Sequence, residues 1–176
     1  GFWRRVRDDD RKLRMTEYVN SISPGAVLKD FTLENLEEVS KPLAMTMDYD
    51  LPGHAIRAKD LLYLRVPTLE RDYPEVALEQ RKYPIQYMTS EERILEMDLK
   101  LPQGFRAKWL PPALDISNPY VECHAVYEEK DGHVFFKETF RRLQRVVPVA
   151  DYPAYRDALR AIATFSKQEV FLTDKG

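Results

Sequence analysis

Apolar residues recur first with a helical period and then, for most of the chain, with a period of two. Met15, Tyr18, Val19 and Ile22 are spaced for one face of a helix. Asp8, Asp9 and Asp10 stand before them, where acids complement the helix dipole, and Pro24-Gly25 follows as a stop signal. The pattern predicts an amphipathic helix over residues 9–22, with FWRRVR at 2–7 as a short strand ahead of it. After the helix, Val27, Lys29, Phe31 and Leu33 alternate with polar residues. Leu43, Met45, Met47, Tyr49 and Leu51 do the same against Ala44, Thr46, Asp48 and Asp50. Both segments read as strands with one wet face.

DLLYLRV at 60–66 is apolar on both sides and fits a central strand. Residues 73–84 form a longer connection, and Tyr83–Met88 re-enters a sheet. Leu95, Met97, Leu99 and Leu101 line one face of a further strand. Pro102-Gln103-Gly104 makes a turn, and FRAKWLPP is another short strand. Residues 120–128 and 133–145 alternate on either side of Lys130-Asp131-Gly132, a strong hairpin signal. A second helix follows, with Asp151 as N-cap, Pro153 in its first turn, and Tyr155, Leu159, Ile162 and Phe165 as its buried stripe. EVFL at 169–172 adds a last strand. The sum is about nine strands and two helices, with hairpins dominant and no alternating βαβ units. That predicts a mainly β (α+β) fold, an antiparallel β-sandwich with helices packed against it. Residues 1–176 are expected to form a single domain, with a weak seam near 67–82.

Composition narrows the function classes. A hydrophobic content of 44%, a charged content of 32% and a net charge of −2 describe a globular chain without a field for nucleic acid or an anionic membrane. No run of about 18 apolar residues occurs, so no helical membrane insertion is expected. One cysteine excludes an internal disulfide, which fits a reducing compartment without excluding export. The chain opens GFWRRVR, without an initiator Met, and reads as a fragment of a longer polypeptide with Gly1 left by a tag.

The stretch VECHAVYEEKDGHVFF holds Cys123, His124 and His133 among acids and poses the question of an active site. Neighbouring strand residues point to opposite faces, so Cys123 and His124 form no dyad. His133 lies past the turn, about 20–23 Å along the ladder from Cys123 at ~3.3 Å per residue. Cys123 shares a face with Val121, Ala125 and Tyr127 and reads as a core residue. Reactivity would require it to be exposed beside His54. The histidines lack metal-ligand spacing, and no phosphate loop or nucleophile elbow is present. No cofactor, metal or catalytic residue is expected. The basic run Arg4, Arg5, Arg7, Arg11, Lys12 and Arg14 is interrupted by acids and reads as a solvated face. Arg141, Arg142 and Arg145 are placed to pair with Glu122 or Glu138 across the hairpin. The ten tyrosines and two tryptophans sit mostly at alternating, core-facing positions.

The order of longer phrases carries more. RKYPIQY is followed by LKLPQGFRAKWLPP, then NPYVECHAVYEEKDGHVFFKETF, then VVPVADYPAYRDALRAIATFSKQEVFL. This succession, after the strand–helix–strand–strand block at the start, resembles the C-terminal β-rich region of large bacterial transglutaminase-like proteins, cysteine-peptidase relatives of unknown function. The resemblance implies a non-catalytic accessory domain that supports an upstream transglutaminase-like core of the same polypeptide or helps bind a protein or peptide substrate. The family's Cys–His–Asp triad belongs to that core, so none of it is carried onto this chain. A periplasmic or cell-envelope location is also implied. Arg4, Arg5 and Arg7, in the segment where the chain enters, are the expected interdomain contacts. The alternative is an independent peptide- or glycan-binding module, which requires a cluster of exposed aromatic rings.

Overall fold

A computed structural model of the chain describes residues 2–23, 25–67 and 71–174. Gly1 and Pro24 lie outside the described residues, as do 68–70 within the expected seam. The described chain clusters into two units, Gly1–Ala55 and Ile56–Gly176. The division falls between Ala55 and Ile56, and the 67–82 segment is internal to the second unit.

The first unit begins with a 3-10 turn at Trp3–Arg5 rather than the expected strand. The turn is fixed by its side chains. Trp3 packs edge-on against Tyr18, with ring centroids 6.4 Å apart. The Arg4 guanidinium donates to the carbonyls of Asn35, Leu36 and Lys41 at 2.6, 2.9 and 2.7 Å. Helix α1, Asp8–Ile22, carries the three aspartates in its first turn and buries Met15 and Val19. Strands β1, Val27–Glu34, and β2, Ala44–Asp50, pair antiparallel. Their register shifts between Leu28 and Asp30. This bulge corrects the expected phase of β1. Leu28, Phe31 and Leu33 turn inward, while Val27 and Lys29 are exposed.

Among its described residues the second unit holds ten strands in three antiparallel sheets. In chain order these are β3, Ile56–Ala58; β4, Leu61–Arg65; β5, Ile85–Gln86; β6, Glu91–Lys100; β7, Phe105–Trp109; β8, Leu114–Ser117; β9, Val121–Lys130; β10, His133–Arg142; β11, Val146–Val147; and β12, Glu169–Asp174. One sheet has the order β6-β10-β9-β8, another β3-β4-β12-β7, and β11 pairs with β5. The twelve strands among the described residues exceed the nine or so expected, but the class, mainly antiparallel β with two helices, is as the alternation predicts. β9 and β10 form the hairpin around Asp131 and Gly132, at φ 52° and 80°. Two consecutive left-handed residues give the turn whose twist matches its strands.

Helix α2, Tyr152–Ser166, packs on β8 and β9. Its buried Tyr155, Leu159 and Ile162 meet Val121, Cys123 and Phe140 of the sheet, with Val76, Ile85 and Val147 closing the cluster. Each such side chain contributes roughly 1.5–3 kcal/mol by leaving water. Asp151 stands at the N-cap position but makes no capping bond. Its carboxylate accepts the Tyr120 hydroxyl proton instead. The solvent side of α2 holds the connecting segment 76–79. Arg156 and Arg160 both bond the Glu79 carboxylate, at 2.8 and 2.9 Å. Among the described residues no helix is long and apolar enough to cross a membrane.

Candidate functional site

Cys123 is fully buried on the inner face of β9. Burial, reinforced by the nearby Glu138 carboxylate, pushes its thiol up to about 12. Such a thiol stays protonated at neutral pH and is a poor nucleophile. His124 points to the opposite face and lies 3.0 Å from Asp115, while His133 lies 2.5 Å from Asp98. His54 belongs to the first unit, where its amide closes a turn onto Leu51 at 3.3 Å. No group of three or more metal-ligating side chains occurs among the described residues. Of the predicted arginines, Arg4 is engaged by the three carbonyls already described. Arg5 is exposed, and Arg7 lies 3.9 Å from Asp9 at the surface.

The chemically richest place is one the sequence reading passed over. Glu138 is fully buried in the middle of β10, in the same inward row as Val134, Phe136 and Phe140. Its Oε1 accepts from Arg93 Nε and Nη2 at 3.3 and 3.2 Å, and Arg71 Nη2 approaches to 3.6 Å. Arg93 comes from β6, opposite Phe140, and lays its guanidinium 4.7 Å from that ring's centroid. It also bonds Glu91 at 3.0 Å, and Glu91 in turn meets Arg142 at 3.0 Å. Arg142 stacks 3.7 Å over the Tyr87 ring. Tyr87 completes the chain through its hydroxyl, 3.1 Å from Glu75 and 2.8 Å from the Tyr155 hydroxyl. If Tyr87 donates to Glu75, Tyr155 must donate to Tyr87. Burial drives the Tyr73 hydroxyl beside this cluster up to about 12. The arrangement is a buried carboxylate beside two cations, next to Tyr73 and Tyr87, whose hydroxyls burial holds in the protonated form.

This network also corrects the expected partners of the β10 arginines. Arg142 pairs with Glu91, and Arg141 with Glu92 at 2.8 Å, both on β6 rather than across the β9–β10 hairpin. Glu138 takes Arg93 and Arg71.

A second feature appears only once the strands are in register. Ile56 pairs with Tyr63, Tyr63 with Phe171, and Phe171 with Trp109, so one row crosses β3, β4, β12 and β7. The opposite face of this sheet buries Leu64, Val170 and Leu172. The row faces outward, with Ile56 53% and Trp109 42% exposed. Ring centroids lie 6.3 Å apart for Tyr63–Phe171 and 5.7 Å for Trp109–Phe171. Ion pairing of Arg65 with Glu169 at 3.3 Å borders it.

Residues 60–172 match the model of a family described as a domain of unknown function with a solved structure, DUF3858. The chain belongs to this family. The matched residues of the DUF3858 domain run from β4 into β12, and include the ion cluster and most of the aromatic row. Comparison with curated proteins gave no match. Among solved structures, the chain is similar to a crystal structure described as a "putative protease" from Parabacteroides distasonis, with a TM-score of 0.56 and 12% identity. That likeness covers 66% of this chain and 24% of the other, so the shared part is about a quarter of that protein. At this identity it establishes a common fold.

Proposed function

We propose that this chain is a non-catalytic accessory domain of a larger, transglutaminase-like cysteine-protease polypeptide, where it buttresses the catalytic core or helps hold a protein or peptide substrate. The observation that carries the reading is the proportion of the fold likeness: most of this chain corresponds to about a quarter of a protein described as a protease. The buried, protonated Cys123 supports it, because the one thiol of the chain sits mid-strand in the core. Of the three expected contacts, Arg5 and Arg7 are available to a neighbouring domain, since Arg4 is committed to its own hairpin. On this reading the parent protein works in the periplasm or cell envelope.

Blotting of fractionated source cells with an antibody to this chain tests the reading. A band much larger than 20.7 kDa in the envelope fraction is expected; a band at that mass in the cytosol overturns it. In the full-length polypeptide, Cys123→Ala should leave hydrolysis of a protein substrate unchanged.

The aromatic row favours one second reading, a free-standing binding module. Under it, Trp109→Ala would abolish retention on an immobilised glycan or peptide, with the fold intact by circular dichroism.

A further inference from the structure

We propose that the open edge of β6 takes up an extended polypeptide strand with Lys or Arg at alternate positions. The inference rests on the substrate-holding role above and names the chemistry of what is held. β6 is the outermost strand of its sheet and pairs with β10 alone, in an unbroken register from Glu91 to Lys100. Among the described residues, no other backbone hydrogen bond reaches these ten residues. Every second residue therefore presents its N–H and C=O outward. Only another extended chain matches donors and acceptors alternating at that spacing.

The side chains specify which chain. On the inner face, Leu95, Met97 and Leu99 are half-buried, an apolar shelf that ends where β6 ends the sheet. On the outer face the charges alternate from strand to strand. Arg141 of β10 bonds Glu92, Lys137 bonds Glu96 at 2.5 Å, and His133 meets Asp98. These bases lie one strand in, and Glu92, Glu96 and Asp98 lie on the edge, with Ile94 between the first two and Lys100 at the end of the strand. A further strand continues the alternation if it carries cations opposite these acids and apolar residues over the shelf.

The same charges disfavour a second copy of this chain. In antiparallel registers centred on Leu95, Glu96 or Met97, at least one of these acids meets an acid of the other copy. Like charges directly opposite are destabilising, which guards the edge against self-pairing. Arg93 and Glu91, the inward charges on this strand, bond each other and are held by Glu138 and Arg142, leaving the Leu95–Lys100 stretch open.

The test is a titration of the isotope-labelled 176-residue chain, followed by amide NMR, with an eight-residue capped peptide of alternating Lys and Val. Shift changes confined to residues 91–100, with slowed hydrogen exchange at alternate β6 amides, are expected. Replacing each Lys of the peptide by Glu should abolish these changes. Reversing Glu96 and Asp98 together, E96K/D98K, should weaken binding at least about threefold, from the size of cross-strand charge pairs. Both side chains are more than half exposed, so the fold is retained. Equal binding of a block peptide of the same composition would overturn the proposal, as would shifts centred on Trp109 and Phe171 or no shifts at millimolar peptide. None of these outcomes bears on the size and location of the native polypeptide, which test the accessory role separately.

Discussion

Glu138→Gln removes one negative charge from the centre of the second unit and leaves the shape nearly unchanged. Glu138 is fully buried, while the side chains of its partners Arg71 and Arg93 are 18% and 29% exposed. Breaking a fully buried pair costs about 3–5 kcal/mol, mostly because the remaining charge loses its partner inside the protein. Here Arg93 keeps Glu91, and both guanidiniums retain some water, so the expected loss is smaller, about 2–3 kcal/mol. With a urea dependence of about 1–3 kcal/mol per molar, the unfolding midpoint should fall by roughly 1–2 M with an unchanged slope. Glu138 lies in the second unit, so the signal should come from that unit. Trp109 fluorescence in a Trp3→Phe background reports it. A double-mutant cycle with Arg93→Gln then isolates the pair and should give a coupling of at least about 1 kcal/mol. A loss below about 0.5 kcal/mol, or strict additivity in the cycle, would refute the view that this cluster is fixed and desolvated.

Three further outcomes follow from other parts of the molecule. Cys123 should react with a thiol reagent at neutral pH only when denaturant opens the core. Its thiol is raised from 9.0 to about 12 in the fold, so between those values the unfolded chain gives up a proton that the folded chain keeps. Stability should therefore fall as pH rises above about 9, and Cys123→Ala should flatten that fall by up to about 1.4 kcal/mol per pH unit in a urea titration. Leu159→Ala, at a fully buried position of α2, should cost about 2–5 kcal/mol by calorimetry or denaturant unfolding. Arg4→Ala should remove about 1–2 kcal/mol from the first unit through its three carbonyl bonds, read as faster amide exchange in β1 and β2 with the second unit unchanged.

The parts of the fold that were legible in the sequence are those whose signals are local. The β9–β10 hairpin is announced by alternation on both sides of Asp131-Gly132, and α2 by a four-residue stripe that is buried as spaced. Failures came where one residue shifts a period or a segment is too short to have one. The bulge after Leu28 reverses the phase of β1 midway. FWRRVR alternates for too few residues to distinguish a strand from a turn held by Arg4. β8 has four residues, and its Leu114 and Ile116 are a faint signal beside the long strands. The ion cluster did leave a mark: Glu138 interrupts the inward row of Val134, Phe136 and Phe140, and Arg93 extends the inward row of Leu95, Met97 and Leu99. The sequence could not say that these two strands are neighbours, so the two interruptions could not be matched. The aromatic row left none, because Ile56, Tyr63, Trp109 and Phe171 meet only through the pairing of four separate strands.

Glu138 and Arg93 have a role in the fold beyond their energy. A one-residue slip of β10 would carry every inward side chain of that strand to the wet face and bring Lys137 and Thr139 against the helix. Hydrophobic residues alone penalise such a slip. They discriminate less well against a two-residue slip, which keeps the faces and moves Phe136 or Phe140 to a neighbouring inward position. The Glu138 carboxylate, held by Arg93 and Arg71, narrows that tolerance. Displaced to the Phe136 position, opposite Met97, it would be buried against apolar side chains, whereas at the Phe140 position it would still face Arg93. The ion cluster thus disfavours the two-residue slip in one direction. This register also sets Glu92 opposite Arg141 and Glu96 opposite Lys137 on the outer face, and brings Asp98 to the diagonal His133. The charge alternation that selects a partner at the edge of β6 is therefore held in place by a carboxylate that no solvent reaches.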